Sequence, residues 1–272
     1  MEITMERILN KKTAFITGGG QGIGRGIALK LAEAGANIVI AQRNQETAKS
    51  VVDEIQLMGR EATAIYIDVT DKESVEKCIA KSLKAFPEIQ IIINNAGSLQ
   101  KNIGDFTSES DFDLCYNVNL KGIWNVAVQF SEHLAKHRQG KIINISSTGG
   151  RGPDPLFPAY CASKSAAINL TQSLAIKFAS HNVNVNAICP GIIWTPMWEK
   201  IEQFLCDENR LTSNNNGAIF NSYTKQIPLG RPQTSEDIGN AAVFLASKYS
   251  CNITGQSIDI DGGELLASST RP

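Results

Sequence analysis

Apolar residues along this chain gather in short runs at 14–17, 37–41, 62–67, 89–93, 141–145, 183–188 and 257–260, most of them rich in isoleucine or valine. Short runs of this composition are expected of strands buried on both faces, which is how parallel sheets are built. The intervening stretches carry apolar positions at helical spacing, as with Ile27, Leu31 and Ala34 in 25–34. Helix starts are legible too. Thr70-Asp71-Lys72-Glu73 reads as a capping box, and Thr234-Ser235-Glu236-Asp237 precedes the periodic stretch 238–246. Strand and helix therefore alternate from end to end. The pattern predicts one α/β domain over 1–272, a doubly wound parallel sheet of seven strands with helices on both faces and active groups at the carboxyl ends of strands. There is no internal repeat, and the single low-complexity stretch, 213–216, falls in a long segment after Pro190.

The first predicted strand runs into Gly18-Gly19-Gly20-Gln21-Gly22-Ile23-Gly24 and then into a helix, and a second strand follows at 37–41. Glycines at such a junction let the backbone turn sharply and let a diphosphate approach the amides, while the helix amino terminus offers partial positive charge. This is the dinucleotide-binding form of a βαβ unit, and it makes the sheet a Rossmann fold. Gly18, Gln21, Gly22, Ile23 and Gly24 are its candidate cofactor contacts.

A second constellation is Tyr160-Cys161-Ala162-Ser163-Lys164. Four residues apart on a helix, the phenol and the ammonium share one face. A phenol with an ordinary pKa of about 10 exchanges protons poorly at neutral pH. A lysine charge beside it stabilises the phenolate, so the pair reads as a proton-transfer device with a lowered phenol pKa.

Composition narrows the field. The chain has 272 residues, a formal charge of −1 and no block of like charge, so nucleic acid is not an expected partner. The six cysteines stand without a C-x-x-C pair and read as free thiols of a reducing compartment. The first dozen residues show neither a secretory signal nor a spanning segment, so the expectation is a cytoplasmic protein without membrane contact. His133 and His137 lie four apart on a predicted helix, but no third ligand follows at suitable spacing; a solvated helix end is expected, with no metal. His181 sits in a turn, which leaves histidine-based nucleophilic catalysis without support.

Taken in order, Thr17-Gly18-x-x-x-Gly22-x-Gly24, Asp68, Asn94-Asn95-Ala96-Gly97, Asn119-Leu120-Lys121-Gly122, Ser146-Ser147-x-x-Gly150, Tyr160-x-x-x-Lys164 and Pro190-Gly191 leading to Thr195 resemble the short-chain dehydrogenase/reductase family over nearly the whole chain. The resemblance implies a nicotinamide cofactor and a catalytic set of Asn119, Ser147, Tyr160 and Lys164. Tyr160 would exchange the proton with the substrate oxygen, and Lys164 would tune it and hold the nicotinamide ribose. Ser147, thirteen residues before Tyr160, would polarise the substrate oxygen, with Ser146 as the local rival. Asn119 would interrupt its helix and order a water linked to the lysine. Asp68, Val69, Asn95 and Ala96 would surround the adenosine, and Ile193 and Thr195 would hold the carboxamide. At the end of the second strand an amide and a guanidinium, Gln42 and Arg43, stand where NAD-dependent members carry an aspartate. Arginine suits a 2′-phosphate, so NADP is expected, with NAD as the alternative.

The segment 192–231 lies where such enzymes carry a substrate lid, and it holds Trp194, Met197, Trp198, Phe204, Phe220 and Tyr223. The stretch 190–198 is locally similar to acetoin/diacetyl reductases and sorbitol-type sugar-alcohol dehydrogenases. The implied substrate is a small secondary alcohol or ketone: a hydroxyketone, diketone or polyol. A 3-oxoacyl or steroid ketone reductase is the alternative, and a cofactor-binding protein without catalysis is the reading of another class. The resemblance also implies a homotetramer.

Overall fold

The computed structural model describes residues 7–103, 108–207 and 217–269. Seven strands form one parallel sheet: β1 (Thr13–Thr17), β2 (Asn37–Ala41), β3 (Ala62–Ile65), β4 (Ile91–Asn94), β5 (Gly140–Ile145), β6 (Val183–Pro190) and β7 (Ser257–Ile260). They lie in the order β3-β2-β1-β4-β5-β6-β7. The chain winds outward from β1 in one direction, returns, and winds outward from β4 in the other, so β1 and β4 flank the topological switch point where ligands bind in such sheets.

All seven apolar runs are strands, with ends displaced by up to two residues. The third run leaves the ladder after Ile65, while Ile67, still buried, donates its N–H to the carbonyl of Gln42. The helices are α1 (Gly22–Glu33), α2 (Gln45–Leu57), α3 (Lys72–Ala85), α4 (Glu109–Tyr116), α5 (Gly122–His137), α6 (Pro158–Ala179), α7 (Pro196–Asp207), α8 (Ala218–Thr224), α9 (Ser235–Ala246) and α10 (Glu264–Ser269). One expected cap is displaced. The cap of α3 is Asp71, whose carboxylate accepts the N–H of Glu73, whereas the Thr70 hydroxyl turns back to Asp68. The second box forms as written, Thr234 and Asp237 each accepting the other's backbone N–H.

Strand residues pointing to opposite faces fill two cores. Ile16, Ile38 and Ile40 join Ile27, Leu31, Val51, Ile55 and Ile238 on the side of α1, α2 and α9. Phe15, Val39, Ile92 and Ile142 join Ile79, Val126, Phe130 and Leu174 on the side of α3, α5 and α6. Both faces are thus removed from water, which supplies most of the driving force for folding.

Buried polar links fix α6 to the sheet. Asn94 donates to Asn144 Oδ1 (2.8 Å), Asn144 donates to Thr171 Oγ1 on α6 (2.9 Å), and that hydroxyl donates to the Ala167 carbonyl (2.8 Å). One turn nearer the sheet's carboxyl edge, Ser146 Oγ donates to the Lys164 carbonyl (2.9 Å). Such bonds add little net energy when made, but a buried group left unpaired costs about 1–3 kcal/mol. Asn144→Ala leaves the Asn94 amide without its acceptor and cuts the link to Thr171, so unfolding in urea should show a loss of about 1–3 kcal/mol; an unchanged transition would contradict this anchoring.

Candidate active site

The glycine turn begins where β1 ends. Gly18 and Gly22 adopt φ of +67° and +52°, the left-handed region glycine favours. Gly24 packs so tightly that a Cβ there would collide with the Gly18 carbonyl oxygen and Asn95 Nδ2. Across the switch point Asn95 Nδ2 donates to the carbonyls of Thr17 (3.1 Å) and Gly18 (3.0 Å), and Thr17 Oγ1 accepts the N–H groups of Asn95 and Ala96 (3.0 Å each). The side chain of Asn95 is therefore spent on shaping the turn. The result is an open cavity of about 400 Å³ over the amino terminus of α1.

Of the sequence-predicted cofactor residues, Gly18, Gln21, Gly22, Ile23, Gly24, Arg43, Asp68, Val69, Asn95, Ala96, Tyr160, Lys164 and Thr195 all line this cavity. Ile193 does not; it is buried and faces an adjoining cavity of about 190 Å³. Burial works to raise the Asp68 pKa, but hydrogen bonds from Thr70 and the Arg43 guanidinium 4.0 Å away outweigh it and hold the carboxyl below its usual range. Gln42 is locked: its Oε1 accepts the N–H of Gly20, and its Nε2 donates to Asn44 O and Thr47 Oγ1. Arg43 keeps most of its side chain in solvent. Asn44 and Thr47, not singled out from the sequence, complete this wall, where Asn44 caps α2 by accepting the N–H groups of Glu46 and Thr47. An asparagine directly before a helical stretch was the available signal.

Tyr160, Thr195, Ile23, Ser146 and Met197 border both cavities, and Ser147 borders the smaller one. Ser147 follows the end of β5 and caps a short turn (Thr148–Gly150), its Oγ accepting the N–H of Gly149 at 3.1 Å. The same hydroxyl neighbours the Tyr160 phenol and works to lower its pKa. Ser146 is buried, with its hydroxyl committed to α6 as described above, which separates the two serines.

Lys164 is buried and donates from Nζ to the Ile145 carbonyl (2.9 Å), with that nitrogen 5.6 Å from the Tyr160 ring centroid. Burial lowers its pKa to about 8. The phenol moves opposite to the sequence-based expectation: burial pushes Tyr160 up to about 12, and the neighbouring Ser147 hydroxyl only partly offsets this. A lysine that is itself desolvated, and bonded elsewhere, does not outweigh loss of water around the phenolate.

Asn119 is fully buried and lines neither cavity. It sits in a π-helical turn (Asn117–Lys121) between α4 and α5, so the expected interruption of the helix is present. Its Oδ1 accepts the Ser98 N–H (2.7 Å), and its Nδ2 donates to Ser98 O and Ser163 Oγ (2.9 Å each). Oδ1 and the Lys164 ammonium flank the same atom, since a Cβ on Gly97 would lie 3.4 and 3.5 Å from them.

The predicted lid corresponds to α7, α8 and their flanks, and the polar stretch 213–216 lies outside the described residues. Its aromatics pack edge to face, with ring centroids 5.0 Å apart for Trp194 and Phe220 and 5.6 Å for both Trp198–Phe220 and Trp198–Tyr223. Only Met197, Trp198 and Tyr223 of the six predicted lid residues border the smaller cavity.

His133 departs from expectation: it is half-buried, with Nε2 3.0 Å from the Ile89 carbonyl oxygen, and burial lowers its pKa. His137 is exposed. Among the described residues no group of three or more His, Cys, Asp or Glu is placed to hold a metal, and no helix is long and apolar enough to cross a membrane. None of the six cysteines is joined in a disulfide, and four of them are buried.

Comparison with known proteins agrees with this geometry. The family model for short chain dehydrogenase matches residues 12–205. The sorbitol dehydrogenase of Cereibacter sphaeroides is 35% identical over 261 residues, covering 95% of this chain and 99% of that one. The 3-oxoacyl-[acyl-carrier-protein] reductase FabG of Thermotoga maritima is 34% identical over 258 residues, with 95% and 99% covered. A solved structure from Beutenbergia cavernae, a candidate NAD(P)-dependent gluconate 5-dehydrogenase with NADP bound at low occupancy, superposes with a TM-score of 0.84 at 33% identity, covering 96% of this chain and 99% of that chain. The glycine-turned switch point, the cavity above it and these matches together establish that the chain belongs to the short-chain dehydrogenase family of nicotinamide-dependent oxidoreductases.

Proposed function

We propose that this protein interconverts a small secondary alcohol and its ketone, a hydroxyketone, diketone or polyol, with NADP as cofactor. The observation that carries the reading is the placement of Tyr160 on the shared wall of two cavities, with Ser147 on the same wall of the smaller one and Lys164 behind the ring. The larger cavity suits a dinucleotide: its floor is the glycine turn, where a Cβ on Gly24 would not fit, and the amino terminus of α1 supplies N–H groups for a diphosphate. The bound nicotinamide supplies or accepts the hydride.

The rest is the work of the chain. Tyr160 gives a proton to the carbonyl oxygen on reduction and takes it from the alcohol on oxidation, while the Ser147 hydroxyl hydrogen-bonds the same oxygen as its charge develops. Lys164 is the ionisable group beside the phenol, and Asn119 holds the strand-to-helix connection at Ser98 against it. Thr195 borders both the cofactor crevice and the substrate cavity, and Ile193 borders the latter beside it. Helices α7 and α8 act as the lid, excluding water from hydride transfer through Met197, Trp198 and Tyr223.

NADP is favoured over NAD because β2 is followed by Gln42 and Arg43, an amide and a guanidinium in place of the aspartate that would repel a 2′-phosphate at that strand end. The positive end of α2 stands behind Arg43 and adds to the attraction. A small substrate accords with the cavity of about 190 Å³ and with the likeness to a sorbitol dehydrogenase. The FabG match favours a second reading, reduction of a short 3-oxoacyl group, and cofactor absorbance against polyols, diketones and acyl thioesters separates the two. A non-catalytic cofactor binder is the weaker reading, since competent side chains occupy all four catalytic positions. We read exposed Phe112, Trp124 and Val128 on α4 and α5 as part of the contact surface of a homotetramer, and the setting as cytoplasmic.

Tyr160→Phe should keep cofactor affinity, read by fluorescence titration, and lose turnover by about two orders of magnitude or more; near wild-type turnover would remove the acid–base role. Burial holds the phenol at about 12, so Tyr160 stays protonated across the neutral range, while Lys164, at about 8, loses its proton first. Carbonyl reduction, which needs the protonated phenol, should therefore keep its proton donor between about pH 6 and 9, whereas alcohol oxidation, which needs that proton removed, should rise with pH over the same range. A kcat/KM for reduction that falls about tenfold over this range while NADPH still binds, or an oxidation rate that does not rise, would contradict this assignment. Arg43→Ala should raise the KM for NADP by about tenfold or more, as expected for loss of a charge-assisted phosphate contact, with little effect on NAD; equal effects on both would exclude a phosphate role.

A further inference from the structure

The smaller cavity carries charge that the proton-transfer chemistry does not use. Among the described residues lining it, Asp154 and Glu264 are the acidic ones, and no lysine or arginine accompanies them. The remainder of the wall is largely apolar, with Leu99, Leu156, Phe157, Trp198, Ile201 and Leu205. Asp154 Oδ1 accepts the N–H of Leu156 at 2.9 Å, which holds the carboxylate at the start of the turn before α6. Glu264 enters from the opposite end of the sequence: it opens α10, directly after the Gly262-Gly263 turn that follows β7.

No described residue hydrogen-bonds the Glu264 carboxyl. Its Oε2 is sealed and unpaired, and it packs against Gly191 at the end of β6 beside Gln233 Oε1, which is also buried and unpaired. A Cβ on Gly191 would lie 2.6 Å from the glutamine oxygen and 2.8 Å from the glutamate oxygen, so the glycine makes room for both acceptors. Burial, reinforced by the charge of Asp261, raises the Glu264 pKa to about 7. Glu264 also lines the cavity, and a ligand hydroxyl donating to the part of the carboxylate exposed there offsets some of the cost of its burial. A second anion brought into the same enclosure raises it instead.

On the reading of this cavity as the substrate site, we propose that Glu264, with Asp154, makes the enzyme select uncharged, multiply hydroxylated substrates and reject carboxylate-bearing ones of the same carbon skeleton. The carboxyls accept hydrogen bonds from hydroxyls remote from the reacting carbon, and the apolar wall covers the carbon chain. Specificity here has a repulsive component, because the acid analogue meets like charge with no lysine or arginine on the cavity lining to offset it. Glu264 acts on binding, so its removal changes KM and affinity ratios in preference to kcat.

Sorbitol and gluconate serve as probes, since each has six carbons and they differ mainly in one terminal carboxylate. Their affinities are measured by calorimetry at pH 8 on the protein saturated with NADPH, which cannot accept hydride from either probe, for the wild type, Glu264→Gln and Asp154→Asn. The wild type should bind sorbitol more tightly than gluconate, and Glu264→Gln should shrink that ratio by about tenfold, with Asp154→Asn shrinking it less. An unchanged ratio in Glu264→Gln, a wild-type preference for gluconate, or binding of neither probe would overturn the proposal. The wild-type preference is a test in its own right should the variant not fold. Turnover of the same probes is scored separately: sorbitol bound with the expected selectivity but never oxidised would sink the proposed reaction and leave the charge selection standing. Oxidation of both probes with a ratio insensitive to Glu264 would do the reverse.

Discussion

The seating of α6 on the sheet is the constraint from which the site follows. Tyr160 and Lys164 lie near its start, and a helix shift of an ångström would separate them from Ser147, which belongs to a different element. Two sets of buried hydrogen bonds oppose such a shift: the Asn94–Asn144–Thr171 chain through the sheet and the Ser146 bond to the Lys164 carbonyl. Apolar packing by Ala167, Leu174 and Phe178 adds adhesion on the same face but is less directional. The polar chain supplies register. That is a reasonable use for buried amides, whose desolvation is costly unless every partner is in place.

The second organising element is the tie between the ends of β1 and β4. Thr17 and Asn95 use side-chain groups to hold two backbones that would otherwise splay at the switch point. With the crevice held open there, the glycine turn occupies one side and Gly97 leads to Ser98 on the other. The bond from Ser98 to Asn119 links this edge to the π-helical turn, and Ser163 links that turn to α6. A continuous set of hydrogen bonds therefore runs from the cofactor crevice to the helix bearing the phenol, and it accounts for Asn119 being buried behind the site instead of within it.

Much of this was legible in the sequence because it is local. A strand, a glycine turn and a helix sit within a few dozen residues, and Tyr160 and Lys164 share a face by spacing alone. What was not legible depends on three-dimensional burial. The direction of the Tyr160 pKa is set by how much water the fold removes, which a nearby lysine in the sequence does not report. The cap of α3 fell on Asp71 because both it and Thr70 have capping side chains, and Thr70 was taken by Asp68. Glu264 was invisible for a further reason. It follows Tyr160 by about a hundred residues, outside the motifs of the family, and only the packing of β7 beside β6 brings it to the substrate cavity.

The central claim is that the Tyr160 hydroxyl stands where hydride and proton are exchanged with one substrate carbon and its oxygen. A crystal structure with NADPH and an unreactive ketone analogue tests it most directly. The account predicts the ketone oxygen within about 2.6–3.2 Å of the hydroxyls of both Tyr160 and Ser147, with the nicotinamide ring on the far side of the carbonyl carbon. A ketone bound in the smaller cavity with its oxygen turned away from Tyr160, or a nicotinamide ring lying outside the crevice between Thr195 and Lys164, would contradict it.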